Sequence, residues 1–193
     1  MAISKIDAIT ATDNTGMVLL NSTTVSSAVA NVTFNSTLIT DSYDDYVFIG
    51  RYLKPATDSQ PFAMYLSIDN GSNYNLTVQH SMLYEDLSTD ASGRATGFGQ
   101  DNTSSTIKMS GSLGNDSGGG AAFHIRLFNL PNTSYYKHGY YDFIGTHASA
   151  EGNNYHWSGG IRILTASAIN NVKFLYDSGN IADGKISLYG VNL

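Results

Sequence analysis

The side chains able to carry acid–base or metal chemistry are few in this chain and poorly spaced for it. Its 193 residues include two glutamates, Glu85 and Glu151, and five histidines. The adjacent pairs Asp44-Asp45 and Glu85-Asp86 would point to opposite faces of an extended backbone, so neither forms a natural acid–base couple. No two histidines stand two or four residues apart, the spacings that bring two imidazoles to one metal ion. We expect no enzyme activity, no metal and no cofactor, and a glycosidase built from carboxylates of distant loops is the open alternative.

Among the side chains of this sequence, the aromatic ones are best suited to binding a ligand or a partner. Tyrosine outnumbers phenylalanine by thirteen to eight, and several aromatic residues are clustered. Tyr and Trp beside Asn can stack on a sugar and hydrogen-bond to it, but the same residues also fill interfaces between subunits. We favour the interface, and we take four residues as the candidate carbohydrate ligands: Tyr140, Tyr141, Tyr155 and Trp157.

The composition argues against nucleic-acid and membrane partners. Charged residues make up 13 % of the chain, about half the usual share, and the net charge is −6. The ten Lys and Arg residues are scattered, so no basic stripe is available to neutralise phosphates. No apolar run approaches the roughly 18 residues of a membrane helix, and residues 1–20 do not have the pattern of a secretory leader. Because cysteine is absent, disulfides and thiolate metal sites are excluded.

The elements that must position these side chains are strands. Apolar residues alternate along Phe62–Met64–Leu66 and again along Phe123–Ile125–Leu127, the period of a half-buried strand. The Asn70-Gly71 dipeptide after the first row predicts a hairpin, since both residues tolerate positive φ. In all, nine or ten such short strands are separated by turn-rich segments, and no segment has helical periodicity. This pattern predicts an all-β sandwich of two antiparallel sheets.

The C-terminal segment, residues 171–192, is the most regular part of the pattern. Val172 and Phe174 begin one alternating row, Ile186 and Leu188 belong to a second, and a turn-prone run separates the two. We interpret this segment as a closing hairpin, so that the C-terminus is a strand within the sheet.

Four motifs follow one another in an order that resembles a known family. They are YDDY at 43–46, KPATD at 54–58, DNGSNY at 69–74, and the ending SGN…G…LYG. In this order they are similar to the small jelly-roll proteins of tailed-phage particles, particularly those of marine and cyanobacterial phages. The resemblance covers most of residues 30–192. It implies eight main strands in two sheets and a homotrimeric module on the virion surface.

These observations lead to one expected organisation. Residues 1–28 are expected to form an N-terminal attachment arm, in which Ile3, Ile6 and Ile9 contact a partner, and residues 29–193 a jelly-roll β-sandwich. The expected function is that of a non-enzymatic virion structural protein, a capsid decoration or head-fibre-like trimer that contacts other virion proteins. The alternative is a module of a tail appendage that binds a surface glycan of the host. No nucleic acid and no membrane are expected as partners.

Overall fold

The computed structural model describes residues 16–87, 96–148 and 153–192, and within these ranges the chain forms twelve β-strands and no helix. The strands are β1 Gly16–Val25, β2 Val32–Phe34, β3 Asp45–Pro55, β4 Phe62–Ser67, β5 Val78–Leu87, β6 Thr96–Ser104, β7 Ile107–Lys108, β8 Ala121–Phe128, β9 Lys137–Thr146, β10 Asn154–Ile163, β11 Asn171–Tyr176 and β12 Ile181–Asn192. The all-β prediction is confirmed.

The strands form two antiparallel sheets of unequal size. The larger has eight strands in the order β1-β12-β3-β8-β9-β10-β5-β6, and the smaller has four in the order β2-β11-β4-β7. The core lies between the facing sides of the two sheets. Along β8, for example, Phe123, Ile125 and Leu127 point into the core and are buried, while the residues between them are half-buried. The predicted two-sheet sandwich is therefore present.

An aromatic cluster fills the space between the two sheets. The ring of Phe174 on β11 lies 5.3 Å from both Phe48 and Phe123, which belong to the larger sheet. Phe62 on β4 lies 6.1 Å from Phe174 and 5.0 Å from Tyr176. Burial of each such side chain contributes about 1.5–3 kcal/mol, so this cluster is a principal tie between the sheets.

Two hairpins predicted from the sequence are crossovers between the sheets. β11 pairs with β2 and β4 in the smaller sheet, whereas β12 pairs with β1 and β3 in the larger one. The turn at Asn70 and Gly71 has the expected positive φ values, 57° and 90°, but it too leads from one sheet to the other. The predicted pairings were wrong because an alternating pattern shows which face of a strand is buried but does not show which strand it pairs with.

A buried lysine fixes the start of β9. Lys137 is completely buried, and its Nζ donates hydrogen bonds to the carbonyls of Tyr135, Thr165 and Ala166 at 2.9, 3.3 and 2.8 Å. Its three donors are thereby satisfied. Burial lowers the pKa of the ammonium from its ordinary value. The contacts join the start of β9 to the segment that follows β10.

The segment predicted as the arm, residues 1–28, is divided in the structure. Residues 1–15, with Ile3, Ile6 and Ile9, lie outside the described residues. From Gly16 onward the segment forms β1, an edge strand whose register runs from the pair Gly16–Asn192 to the pair Val25–Gly184. Residues 16–25 thus belong to the larger sheet.

Candidate functional site

The outer face of the eight-stranded sheet carries most of the exposed apolar side chains. Nine large apolar or aromatic side chains are exposed among the described residues, and five of them lie on this face. These five are Met17, Leu19, Leu83, Tyr140 and Ile144. They alternate with buried or half-buried residues of the same strands, so each points away from the core. Exposed apolar residues concentrated on one face are typical of a contact surface.

The part of this face formed by β1, β12 and β3 is the most apolar, and we call it the apolar edge. It consists of two cross-strand rows, Met17–Val191 and Leu19–Tyr189–Val47. Val47 is 2 % exposed although it lies outside the core cluster between the sheets, because its neighbours on this face cover it. Leu19 is 55 % exposed. The apolar edge is thus a packed but uncovered layer.

An ion pair borders the apolar edge. Asp45 is 1 % exposed, and its Oδ2 accepts hydrogen bonds from Nη2 and Nε of Arg126 at 2.6 and 3.1 Å. The backbone N–H of Asn129 donates to Oδ1 at 3.4 Å. The guanidinium also lies 5.2 Å from the centre of the Phe128 ring. Charge-assisted bonds of this kind are strong and directional, so the pair fixes the position of both side chains.

Shallow depressions interrupt the other part of the face. One has a volume of about 390 Å³ and is lined mainly by apolar groups, among them Ile49 and Ile144. Beside it, His156 Nε2 lies 3.6 Å from Asp142 Oδ1. Another depression, about 490 Å³, is lined by polar residues around Gly160, and we call it the Gly160 depression.

The four predicted carbohydrate ligands do not form one site. Tyr140 is exposed on the outer face, whereas Tyr141, its neighbour in β9, is 1 % exposed and faces the core. The Tyr141 hydroxyl is hydrogen-bonded to His80 Nε2 at 2.8 Å, and burial raises its pKa. Trp157 is 3 % exposed and stacks on the half-buried Tyr155 at 5.0 Å. Three of the four therefore pack on the inner side of the sheet.

The polar residues of the Gly160 depression were missed in the sequence. Gln79, Ser81, His138 and Arg162 come from three strands, and nothing in their local sequence links them. The available signal was the Gly159-Gly160 pair, since glycine inside a strand often marks a close approach. A Cβ on Gly159 would lie 2.2 Å from the Ser81 carbonyl oxygen, whereas one on Gly160 would meet only Ser81 Oγ, at 3.4 Å.

In residues 16–87, 96–148 and 153–192, no three or more His, Cys, Asp or Glu residues are grouped so that they could hold a metal ion. The same ranges contain no helix long and apolar enough to cross a bilayer. Comparison of the chain with protein-family models, with curated proteins and with solved structures found no match. Function is therefore inferred from the geometry of the outer face of the larger sheet.

Proposed function

We propose that this chain is a non-enzymatic structural protein of a tailed-phage virion. In this proposal it is a jelly-roll β-sandwich that forms a homotrimer on the particle surface, as a capsid decoration or a head-fibre-like projection. The part of the predicted arm that precedes β1, residues 1–15, attaches the trimer to other virion proteins. The strand order supports the fold, and the apolar edge supports the assembly.

The observation that carries the proposal is the order of eight strands. Without β5, β6, β9 and β10, the remaining strands pair as β1 with β12, β2 with β11, β3 with β8, and β4 with β7. This is one long hairpin of four strand pairs. It is rolled up so that β12 also pairs with β3, and β11 also pairs with β4. Rolled eight-stranded sandwiches of this type occur in viral capsid proteins and in lectin domains.

The apolar edge supplies a large part of a subunit contact. Its three strands, spaced about 4.8 Å apart and each with 10–12 residues rising about 3.3 Å, present roughly 500 Å². A standard interface uses about 800 Å² per partner, so the edge would form more than half of one. The apolar edge supplies exposed Met17 and Leu19 beside Tyr189, the residue types that such interfaces contain. In a closed trimer this patch contacts a different patch of the next subunit.

The proposal is tested by the copy number of the protein in purified particles of the phage that encodes it. Quantitative mass spectrometry with labelled reference peptides should give hundreds of copies for a capsid decoration and about a dozen for a tail component. Light scattering of the isolated protein should give three times the chain mass of 20.7 kDa. Absence from particles would refute the virion role, and a monomer at micromolar concentration would refute the trimer.

A second candidate function is recognition of a carbohydrate. The observation that favours it is the Gly160 depression, where several hydrogen-bonding side chains lie beside the exposed ring of Tyr140. Aromatic rings next to amide and hydroxyl groups are well suited to sugars. A glycan-array screen tests this function, which does not depend on the location of the protein in a particle.

A further inference from the structure

The Gly160 depression exists because Gly160 has no side chain, whereas the paired positions on the two neighbouring strands carry larger residues. Gly160 on β10 pairs with Tyr140 on β9 and with Ser81 on β5, and the three positions face outward. Without a side chain at Gly160, the floor of the depression is backbone. The backbone N–H of Gly160 donates a hydrogen bond to Ser81 Oγ at 3.3 Å, and this bond holds the serine side chain at the edge of the depression.

One side of the depression carries positive charge. Arg162 is two residues beyond Gly160 on the same face, and it pairs with His138 on β9 and Gln79 on β5. Its Nη1 donates to Gln79 Oε1 at 3.3 Å, and its guanidinium lies 5.4 Å from the centre of the Tyr136 ring. These contacts orient a planar group that has further N–H donors. No carboxylate is among the described residues that line the depression.

An aromatic ring lies next to the depression without lining it. Tyr140, which pairs with Gly160, is exposed, and its ring leans towards β8, where His124 and Phe128 flank it at 6.3 and 5.9 Å between ring centres. The depression itself combines hydrogen-bonding side chains with an oriented guanidinium.

We propose that the Gly160 depression binds an acidic saccharide, a sugar that carries a carboxylate. Arg162 contacts the carboxylate in the paired geometry that a guanidinium offers. Gln79 and Ser81 hydrogen-bond to the hydroxyls, and a saccharide that extends past Gly160 reaches the exposed ring of Tyr140 on the next strand. This inference rests on the second candidate function and specifies its site and the charge of its ligand.

Two substitutions test the site in the full-length protein. Gly160→Val fills the floor, and it should fold normally because a Cβ there meets only ordinary contact and valine favours strands. Arg162→Gln removes the charge. The matched controls are Ser158→Val, two residues away on the same face of β10, and Arg51→Gln, an exposed arginine on β3.

Binding of 3′-sialyllactose and trigalacturonate is measured by titration calorimetry, with lactose and maltotriose as neutral probes. We expect at least one acidic sugar to bind at least about tenfold more tightly than either neutral sugar, and Arg162→Gln to remove this preference. Gly160→Val should abolish binding, and both controls should retain it.

The outcomes separate the inference from the function on which it rests. Binding of neutral sugars that is lost in Gly160→Val and retained in Arg162→Gln supports carbohydrate recognition but overturns the acidic ligand. Acidic binding that persists in Gly160→Val overturns the location. If none of the four probes binds, the inference is refuted. The copy number and the trimer, measured separately, are unaffected by any of these results.

Discussion

Replacing Leu19 by aspartate should dissociate the proposed trimer without unfolding the subunit. Full burial of a leucine contributes about 1.5–3 kcal/mol, and 55 % of Leu19 is still exposed in the subunit. Covering the rest should therefore contribute about 1–1.5 kcal/mol per contact, or about 3–5 kcal/mol for the three contacts of a trimer. A carboxylate buried in each contact adds a penalty of at least similar size. The dissociation constant should rise at least about a thousandfold.

The assay is sedimentation velocity over a range of protein concentrations, with thermal unfolding measured in parallel. Leu83→Asp is the matched control, because Leu83 is 52 % exposed on the same face but lies on β5, outside the apolar edge. Leu19→Asp should sediment as a monomer at concentrations where Leu83→Asp and the unaltered protein are trimers. Both variants should remain folded, since exposed substitutions usually change stability by less than about 0.5 kcal/mol. A trimeric Leu19→Asp would refute the role of the apolar edge.

Three further predictions concern the ion pair, an acidic turn and the N-terminal segment. Asp45→Asn should lower the free energy of unfolding by about 2–4 kcal/mol in urea titrations, because it leaves the partly buried Arg126 unpaired. The control Asp177→Asn, at an exposed pair, should lower the free energy of unfolding by less than about 1 kcal/mol. Hydrogen bonds from Ser67 and Asn73 lower the pKa of Asp69 to about 2. The ionised carboxylate therefore contributes fully to stability above about pH 4, and the contribution is lost as the pH falls through 2. In thermal unfolding, Asp69→Asn should flatten this dependence of Tm on pH. Deleting residues 1–15 should leave the trimer and its Tm nearly unchanged while abolishing attachment to particles, and a truncated chain that unfolds would refute the arm.

The sequence was sufficient to predict most of the strands but not their partners, and β1 was missed because it lies within the predicted arm. Along β8 the predicted inward row is the buried row, because period-two alternation records which face of a strand is covered. The same alternation in residues 171–192 suggested a hairpin, yet β11 and β12 lie in different sheets. Strand pairing depends on contacts with distant parts of the chain. For β12 these are β1 and β3, each more than 120 residues earlier.

Of the four predicted carbohydrate ligands, Tyr140 is the one that the structure places on the outer face. Two adjacent tyrosines in a strand must point to opposite faces, so Tyr140 and Tyr141 could not belong to one surface site. Which of them is exposed depends on the register of β9, in which Phe143 and Tyr141 share the buried side. Arg162 and Gln79 become neighbours through cross-strand pairing between β10 and β5, a contact that local sequence does not encode.

The unequal size of the two sheets explains why one face can serve two roles. The strands β5, β6, β9 and β10 extend the larger sheet beyond β1, β12, β3 and β8. Their inner side needs another cover, and buried Tyr141 and Trp157 supply part of it, with Gly111 lying against the indole. The aromatic residues that resembled sugar ligands are thus used to close the sandwich. The outward positions of the same strands are thereby left open for the proposed ligand, while β1, β12 and β3 carry the apolar edge proposed for assembly. The two proposed roles therefore occupy separate parts of one sheet, and a substitution in either part can be tested without disturbing the other.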